Sequence, residues 1–132
     1  MHPFLPQDEL LAFCKEQEIQ VVAYSPLGSG ELPLINDPKI VELSKNENVT
    51  PAQLLLSWSI TRQCVVIPKT SSLVRAKENI DACALTLSPQ TMQAIKDLGE
   101  ERKKQGLKFP FRLLEPADWW GVTCFEDDNV RA

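Results

Sequence analysis

Lys69, Thr70, Ser71 and Ser72 form a cation followed by three hydroxyls, and Arg75, Glu78 and Asn79 come within the next seven residues. A phosphate monoester is held by that combination: positive charge, several short donors, and free N–H groups at a helix start. Arg75, Glu78 and Asn79 stand at i, i+3 and i+4, so a helix would present all three on one face. The residues ahead of them, Val65-Val66-Ile67, are apolar and β-branched, as in a parallel strand covered on both faces. Pro68 ends that strand, because proline has no N–H for the ladder. The same residues also fit a capped surface helix, with Ser72 as N-cap and Arg75–Glu78 as an exposed ion pair.

A second segment favours the phosphate reading. Gln20-Val21-Val22-Ala23-Tyr24-Ser25-Pro26-Leu27-Gly28-Ser29-Gly30 is another strand that ends at a proline and enters a Gly/Ser turn. It carries the single tyrosine of the chain. Together the two segments resemble the last two barrel strands of the aldo-keto reductases, whose patterns are close to A-Y-S-P-L-G and V-I-P-K-[ST] with R and E-N following. His2-Pro3-Phe4-Leu5 and Asp8 to Cys14 are similar to the family's turn and helix after its sixth strand, and Thr50 to Leu56 to its helix before the eighth. The resemblance runs from about His2 to about Leu98, with a looser match beyond.

The resemblance implies a fold, a cofactor and a division of labour among residues. The fold would be α/β, the C-terminal portion of a (β/α)8 TIM barrel with about two parallel strands and flanking helices. In such barrels the loops after the seventh and eighth strands commonly hold phosphate. Tyr24 would stack on a nicotinamide, while Ser25, Leu27, Gly28 and Ser29 would line a pyrophosphate. Lys69, Thr70, Ser71 and Arg75 would hold a 2′-phosphate, making NADPH the preferred cofactor, and Glu78 and Asn79 would hydrogen-bond the adenine. Tyr24 also fits a plain core tyrosine at a strand end, and Ser29-Gly30 an ordinary flexible turn. The substrate would be a small-molecule carbonyl, reduced to an alcohol.

The elements expected to position these residues alternate. An amphipathic helix is expected over Gln7–Gln17 with Leu10, Leu11, Phe13 and Cys14 inward, then strands at Gln20–Ser25 and Cys64–Ile67. Asp37-Pro38 should open a helix running to Asn46, and Thr50-Pro51-Ala52-Gln53 is a capping box for a helix that buries Leu54, Leu55, Trp58 and Ile60. A helix over Leu73–Ile80 and a last one after Ser88-Pro89, with Met92, Ile95 and Leu98 inward, complete the series. From about Gln105 no period is legible, which suggests an extended tail over 105–132 after a single domain. In the tail, Trp119 and Trp120 would shape the substrate pocket by resemblance to the family's C-terminal loop. Alternatively one tryptophan simply pins the tail. The Trp120-Gly121-Val122-Thr123-Cys124-Phe125 ending is similar to fungal-type members and hints at secondary metabolism.

Length sets a tension with the fold. A (β/α)8 barrel takes ~250 residues, whereas this chain has 132. The expectation is a truncated member: a reductase in incomplete form, a non-catalytic remnant that keeps the phosphate grip, or a module completing a barrel with an N-terminal half-barrel partner. The family's catalytic Asp, Tyr, Lys and His would fall before Met1, so no catalytic residue is assigned here. His2 matches a later turn, not the catalytic histidine. The isolated chain is expected to fold poorly or to self-associate, because strand edges are left open.

The remaining composition narrows the class. Hydrophobic residues make up 43% and charged residues 24%, with a net charge of −4, a balance that argues against a nucleic-acid partner. No apolar run approaches the ~20 residues of a membrane span, so no membrane association is expected. Cys14, Cys64, Cys83 and Cys124 lie far apart without a C-x-x-C, as expected for reduced packing residues of a cytoplasmic protein and not for a metal site.

Overall fold

Four helices begin where the sequence supplies an acceptor for the otherwise unpaired N–H groups of a first turn. A computed structural model describes residues 1–29 and 34–105. The order is α1 (Asp8–Glu16), β1 (Val22–Ala23), α2 (Pro38–Asn46), α3 (Pro51–Thr61), β2 (Val65–Val66), α4 (Leu73–Asp81) and α5 (Pro89–Lys104), with single 3-10 turns at Leu34–Asn36 and Ala82–Ala84. Asp37 accepts from the Lys39 and Ile40 amides at 2.9 and 3.4 Å to start α2. Thr50 and Gln53 close both halves of the capping box on α3, at 3.2 and 3.0 Å. Ser72 accepts from the Arg75 amide at 3.4 Å, and Ser88 from the Thr91 amide at 3.2 Å. Glu47 reaches across from the end of α2 to take the Ser88 hydroxyl at 2.6 Å, fixing where α5 begins.

The two strands pair in parallel, with Val22 opposite Val65 and Ala23 opposite Val66. Successive residues of a strand face opposite ways. Ala23 is fully buried and Val66 half-buried toward the helices, while Val22 and Val65 lie exposed on the other face. The ladder is shorter than the expected Gln20–Ser25 and Cys64–Ile67 because each strand, among the described residues, has one neighbour.

The core sits between helices. Phe4, Leu34, Ile40, Leu43, Leu54, Leu55, Trp58, Leu87, Ile95 and Leu98 form one buried cluster, with Met92 packed at its edge. α3 is central to it. Leu54 through Ser59 are all buried, beyond the Leu54–Leu55–Trp58 stripe that the sequence period predicts, and Ile60 is half-buried. Two buried hydroxyls permit this: Ser57 donates to the Ala82 carbonyl at 3.0 Å and Ser59 to the Leu55 carbonyl at 3.4 Å. Gly99 lies where α5 crosses the N-terminal turn; a Cβ there would stand 2.3 Å from the Pro3 carbonyl oxygen, so only glycine fits.

α1 departs from the expectation. Cys14 is buried and Leu11 half-buried, but Leu10 and Phe13 are exposed. Their spacing is amphipathic, yet no described element covers that part of the helix. α1 is instead anchored at its start: Arg62 pairs with Asp8, donates to the Pro6 carbonyl at 2.8 Å, and lies 4.3 Å above the Trp58 ring.

Candidate functional site

A cleft of about 410 Å³ opens between the start of α3, the β2–α4 turn and the 3-10 turn before α2. Seven of the eleven residues expected to bind cofactor line it: Leu27, Lys69, Thr70, Ser71, Arg75, Glu78 and Asn79. Local chemistry explains their convergence. Pro68 ends β2, and the Thr70 hydroxyl accepts from the Ser72 amide at 3.1 Å, which curls the chain into the cap of α4. Ser72 then caps α4 by accepting from the Arg75 amide, and Arg75, Glu78 and Asn79 follow on one helix face along the cleft.

Two cations, Lys69 and Arg75, and one carboxylate, Glu78, line the cleft. Lys69 and Arg75 are exposed and join none of the four ion pairs among the described residues. The surface pair on α4 is Lys77–Asp81 at 2.6 Å, so the anticipated Arg75–Glu78 pair does not form. Two exposed cations beside three short donors and a helix N-terminus are suited to an anion with several oxygens, such as a phosphate ester.

The other four residues lie apart from this cavity. Tyr24 is half-exposed at the end of β1, on the same strand face as Val22. Ser25, Gly28 and Ser29 form the turn that follows, closed by the Gly28 amide donating to the Ser25 carbonyl at 3.0 Å. Gly28 has φ 84°, a conformation glycine adopts without strain, and is buried. Leu27 belongs to this turn and to the cleft wall, linking the two groups. Trp119 and Trp120 lie outside the described residues, as does the tail beyond 105.

Sequence reading missed part of the wall. Ile35, Asn36, Thr50, Pro51 and Ala52 also line the cleft. It missed Gln53 as a strut too: beyond its capping role, its side-chain amide donates to the Glu78 carbonyl at 3.3 Å and ties α4 to the start of α3. The capping-box motif marked Gln53, but its reach to Glu78 spans 25 residues and has no local signal.

The groups with shifted pKa values lie elsewhere. His2, buried in the N-terminal turn, has its pKa pushed down to about 4, first by burial and then by the neighbouring N-terminal ammonium. Hydrogen bonds from Ser88 and then Thr91 hold the Glu47 carboxyl below the usual range, and burial pushes the Cys64 thiol up. Among the described residues no group of three His, Cys, Asp or Glu side chains could hold a metal ion, and no helix is long and apolar enough to cross a membrane.

The sequence model of the aldo/keto reductase family matches residues 1–100. This chain belongs to that family. It is 42% identical over 110 residues to the glycerol 2-dehydrogenase (NADP(+)) of Saccharomyces cerevisiae, covering 83% of this chain and 35% of the yeast protein. An aldehyde reductase of the same yeast is 44% identical over 100 residues, 76% of this chain and 31% of the relative. Among solved structures, an aldo/keto reductase from Brucella melitensis superposes with a TM-score of 0.67 at 35% identity, over 74% of this chain and 36% of that one. An aldo-keto reductase from a deep-sea metagenome gives a TM-score of 0.70 at 31% identity, over 74% and 37%. The chain thus spans about a third of the relatives it matches. Its two parallel strands and flanking helices are part of a TIM barrel.

Proposed function

We propose that this chain is the cofactor-phosphate portion of an NADP(H)-dependent aldo-keto reductase acting between carbonyls and alcohols. One observation carries the reading: Lys69, Thr70, Ser71, Arg75, Glu78 and Asn79 meet in a single cleft at the start of α4, with both cations unpaired by carboxylates. The donor set fits the group. Lys69 and Arg75 would meet the two charges of an adenosine 2′-phosphate, and Thr70 and Ser71 would supply short hydrogen bonds. Glu78 and Asn79 would take the adenine edge. Tyr24 would lie against the nicotinamide and Ser25, Leu27, Gly28 and Ser29 along the pyrophosphate, on the turn that Leu27 joins to the cleft. The bound cofactor supplies a hydride; the residues of this chain bind and orient it.

Two relatives support the reading by their names, a dehydrogenase specified as using NADP(+) and an aldehyde reductase. General acid catalysis contributes ~10²–10⁴-fold in such chemistry. None of the matched motifs in this chain supplies the family's acid, so the 132-residue chain alone should show no measurable carbonyl reduction.

Arg75→Met tests the assignment. Charge-assisted hydrogen bonds of this kind are worth ~1.5–3 kcal/mol each, and ~1.4 kcal/mol is tenfold in affinity. NADPH binding should therefore weaken by roughly one to two orders of magnitude, with NADH binding nearly unchanged. Fluorescence titration of wild type and variant with each cofactor measures both. Equal losses for the two would make Arg75 structural and remove the phosphate assignment.

A further inference from the structure

Telling one ribose phosphate from another takes donors that cannot re-aim, or buried polar groups that a misplaced phosphate would leave unpaired. The cleft at the start of α4 has neither. Among the described residues, the Lys69 ammonium and the Arg75 guanidinium join no ion pair and make no side-chain hydrogen bond. Both side chains are exposed, on flexible stems. Arg62 and Arg102 show the alternative within the same chain. Arg62 is held by Asp8, by the Pro6 carbonyl at 2.8 Å and by the Trp58 ring, and Arg102 by Asp37 at 2.8 Å. No polar residue on the cleft wall is buried; Asn36, Ser71 and both cations are exposed and the rest half-buried. Leu27, Ile35, Pro51 and Ala52 supply an apolar wall that is indifferent to where on a ribose the phosphate sits.

We propose that the cleft also takes adenosine phosphorylated at its 3′ position, the nucleotide unit of coenzyme A and of 3′-phosphoadenylyl sulfate, and that such ligands compete there with NADP(H). The inference rests on the reading of the cleft as a 2′-phosphoadenosine site and widens its ligand class. The 2′ and 3′ oxygens sit on adjacent ribose carbons, and a phosphate on either carries the same charge. With the adenine in one place, moving the phosphate asks only that the cations follow it. Lys69 stands in the turn after β2 and Arg75 in the first turn of α4, so they approach the ribose from two elements. The Ser71 hydroxyl is exposed and free among the described residues, and the Thr70 hydroxyl accepts from the Ser72 amide, which leaves its proton to donate. Each ligand leaves one ribose hydroxyl unphosphorylated. That hydroxyl meets only groups that water reaches, so exchanging one ligand for the other strands no buried donor or acceptor.

Calorimetric titration of the full chain with adenosine 3′,5′-bisphosphate, 2′,5′-ADP and 5′-ADP tests this. The two bisphosphates should bind within a factor of about ten of each other, and each roughly tenfold or more tighter than 5′-ADP, because one charge-assisted contact is worth about that factor. Excess 2′,5′-ADP should displace the 3′,5′-bisphosphate, and Lys69→Met and Arg75→Met should each weaken both. The wild-type titrations decide the matter even if a variant misfolds. Coenzyme A and 3′-phosphoadenylyl sulfate, titrated separately, identify the natural source: binding of either supports the proposal, and rejection of both would overturn it. A preference of more than tenfold for 2′,5′-ADP over the 3′,5′-bisphosphate would overturn the proposal and leave the cofactor reading standing. So would binding of the 3′,5′-bisphosphate that 2′,5′-ADP fails to displace. Equal affinity for all three nucleotides would remove the cofactor reading, and the proposal with it.

Discussion

The helical side of the molecule and its strand side differ in how much of their apolar surface is covered. Ten buried residues meet between α2, α3, α5 and the N-terminal turn, whereas the cluster beneath the strands has three, Met1, Ala23 and Cys64. The opposite face of the sheet, with Val22 and Val65, is open. The cleft lies between these two conditions. Its floor is the capped start of α3, buried along most of its length, and its rim is α4, which contributes no buried residue. Helix caps and polar struts place the site, whereas each strand beside it has one partner among the described residues.

Substitutions should expose that contrast directly. Leu54→Ala and Ile95→Ala each empty a fully buried position and should cost about 2–5 kcal/mol, measured by urea denaturation. Val65→Ala, on the open face, should cost less than about 0.5 kcal/mol in the chain alone. A loss at Val65 equal to that at Leu54 would show the strand face to be covered in solution.

A second contrast concerns pH. The His2 imidazole takes up a proton near pH 6.5 when unfolded but only at about 4 when folded. Between those values the unfolded chain binds the proton more readily, so stability present above pH 6.5 is lost as pH falls toward 4. The full difference corresponds to about 3 kcal/mol. His2→Gln should flatten that limb of the stability profile. A pH limb unchanged in His2→Gln would remove the histidine as its cause.

A smaller loss than at the emptied core positions is expected at the strut. Gln53→Ala removes half of the capping box and the bond to the Glu78 carbonyl, and should cost about 1–2 kcal/mol. Amide exchange should quicken in α4 more than in α2. Uniform acceleration would mean that α4 is held by something other than Gln53.

Much of this arrangement was legible in the sequence because it is local. Asp37-Pro38 gave the bounds of α2, Thr50 to Gln53 the start of α3, and Ser72 the start of α4, each through a side chain bonding an amide two or three residues away. The cluster of Lys69, Thr70, Ser71, Arg75, Glu78 and Asn79 was legible for the same reason. What escaped was non-local or depended on neighbours. Leu10 and Phe13 have the spacing of a buried stripe, but burial requires a covering element that spacing cannot supply. Ser57 and Ser59 look polar enough for a surface, yet carbonyl acceptors allow them inside. The Arg102–Asp37 pair at 2.8 Å, joining α5 to the cap of α2, spans 65 residues and left no pattern to read.

Recognition of a 2′-phosphate by the cleft can be tested without any nicotinamide chemistry, by calorimetric titration of the full chain with 2′,5′-ADP against 5′-ADP. 2′,5′-ADP should bind at least tenfold tighter, the preference should shrink as salt rises, and Lys69→Met and Arg75→Met should each reduce it. Equal affinity for the two nucleotides, unaffected by either substitution, would contradict it.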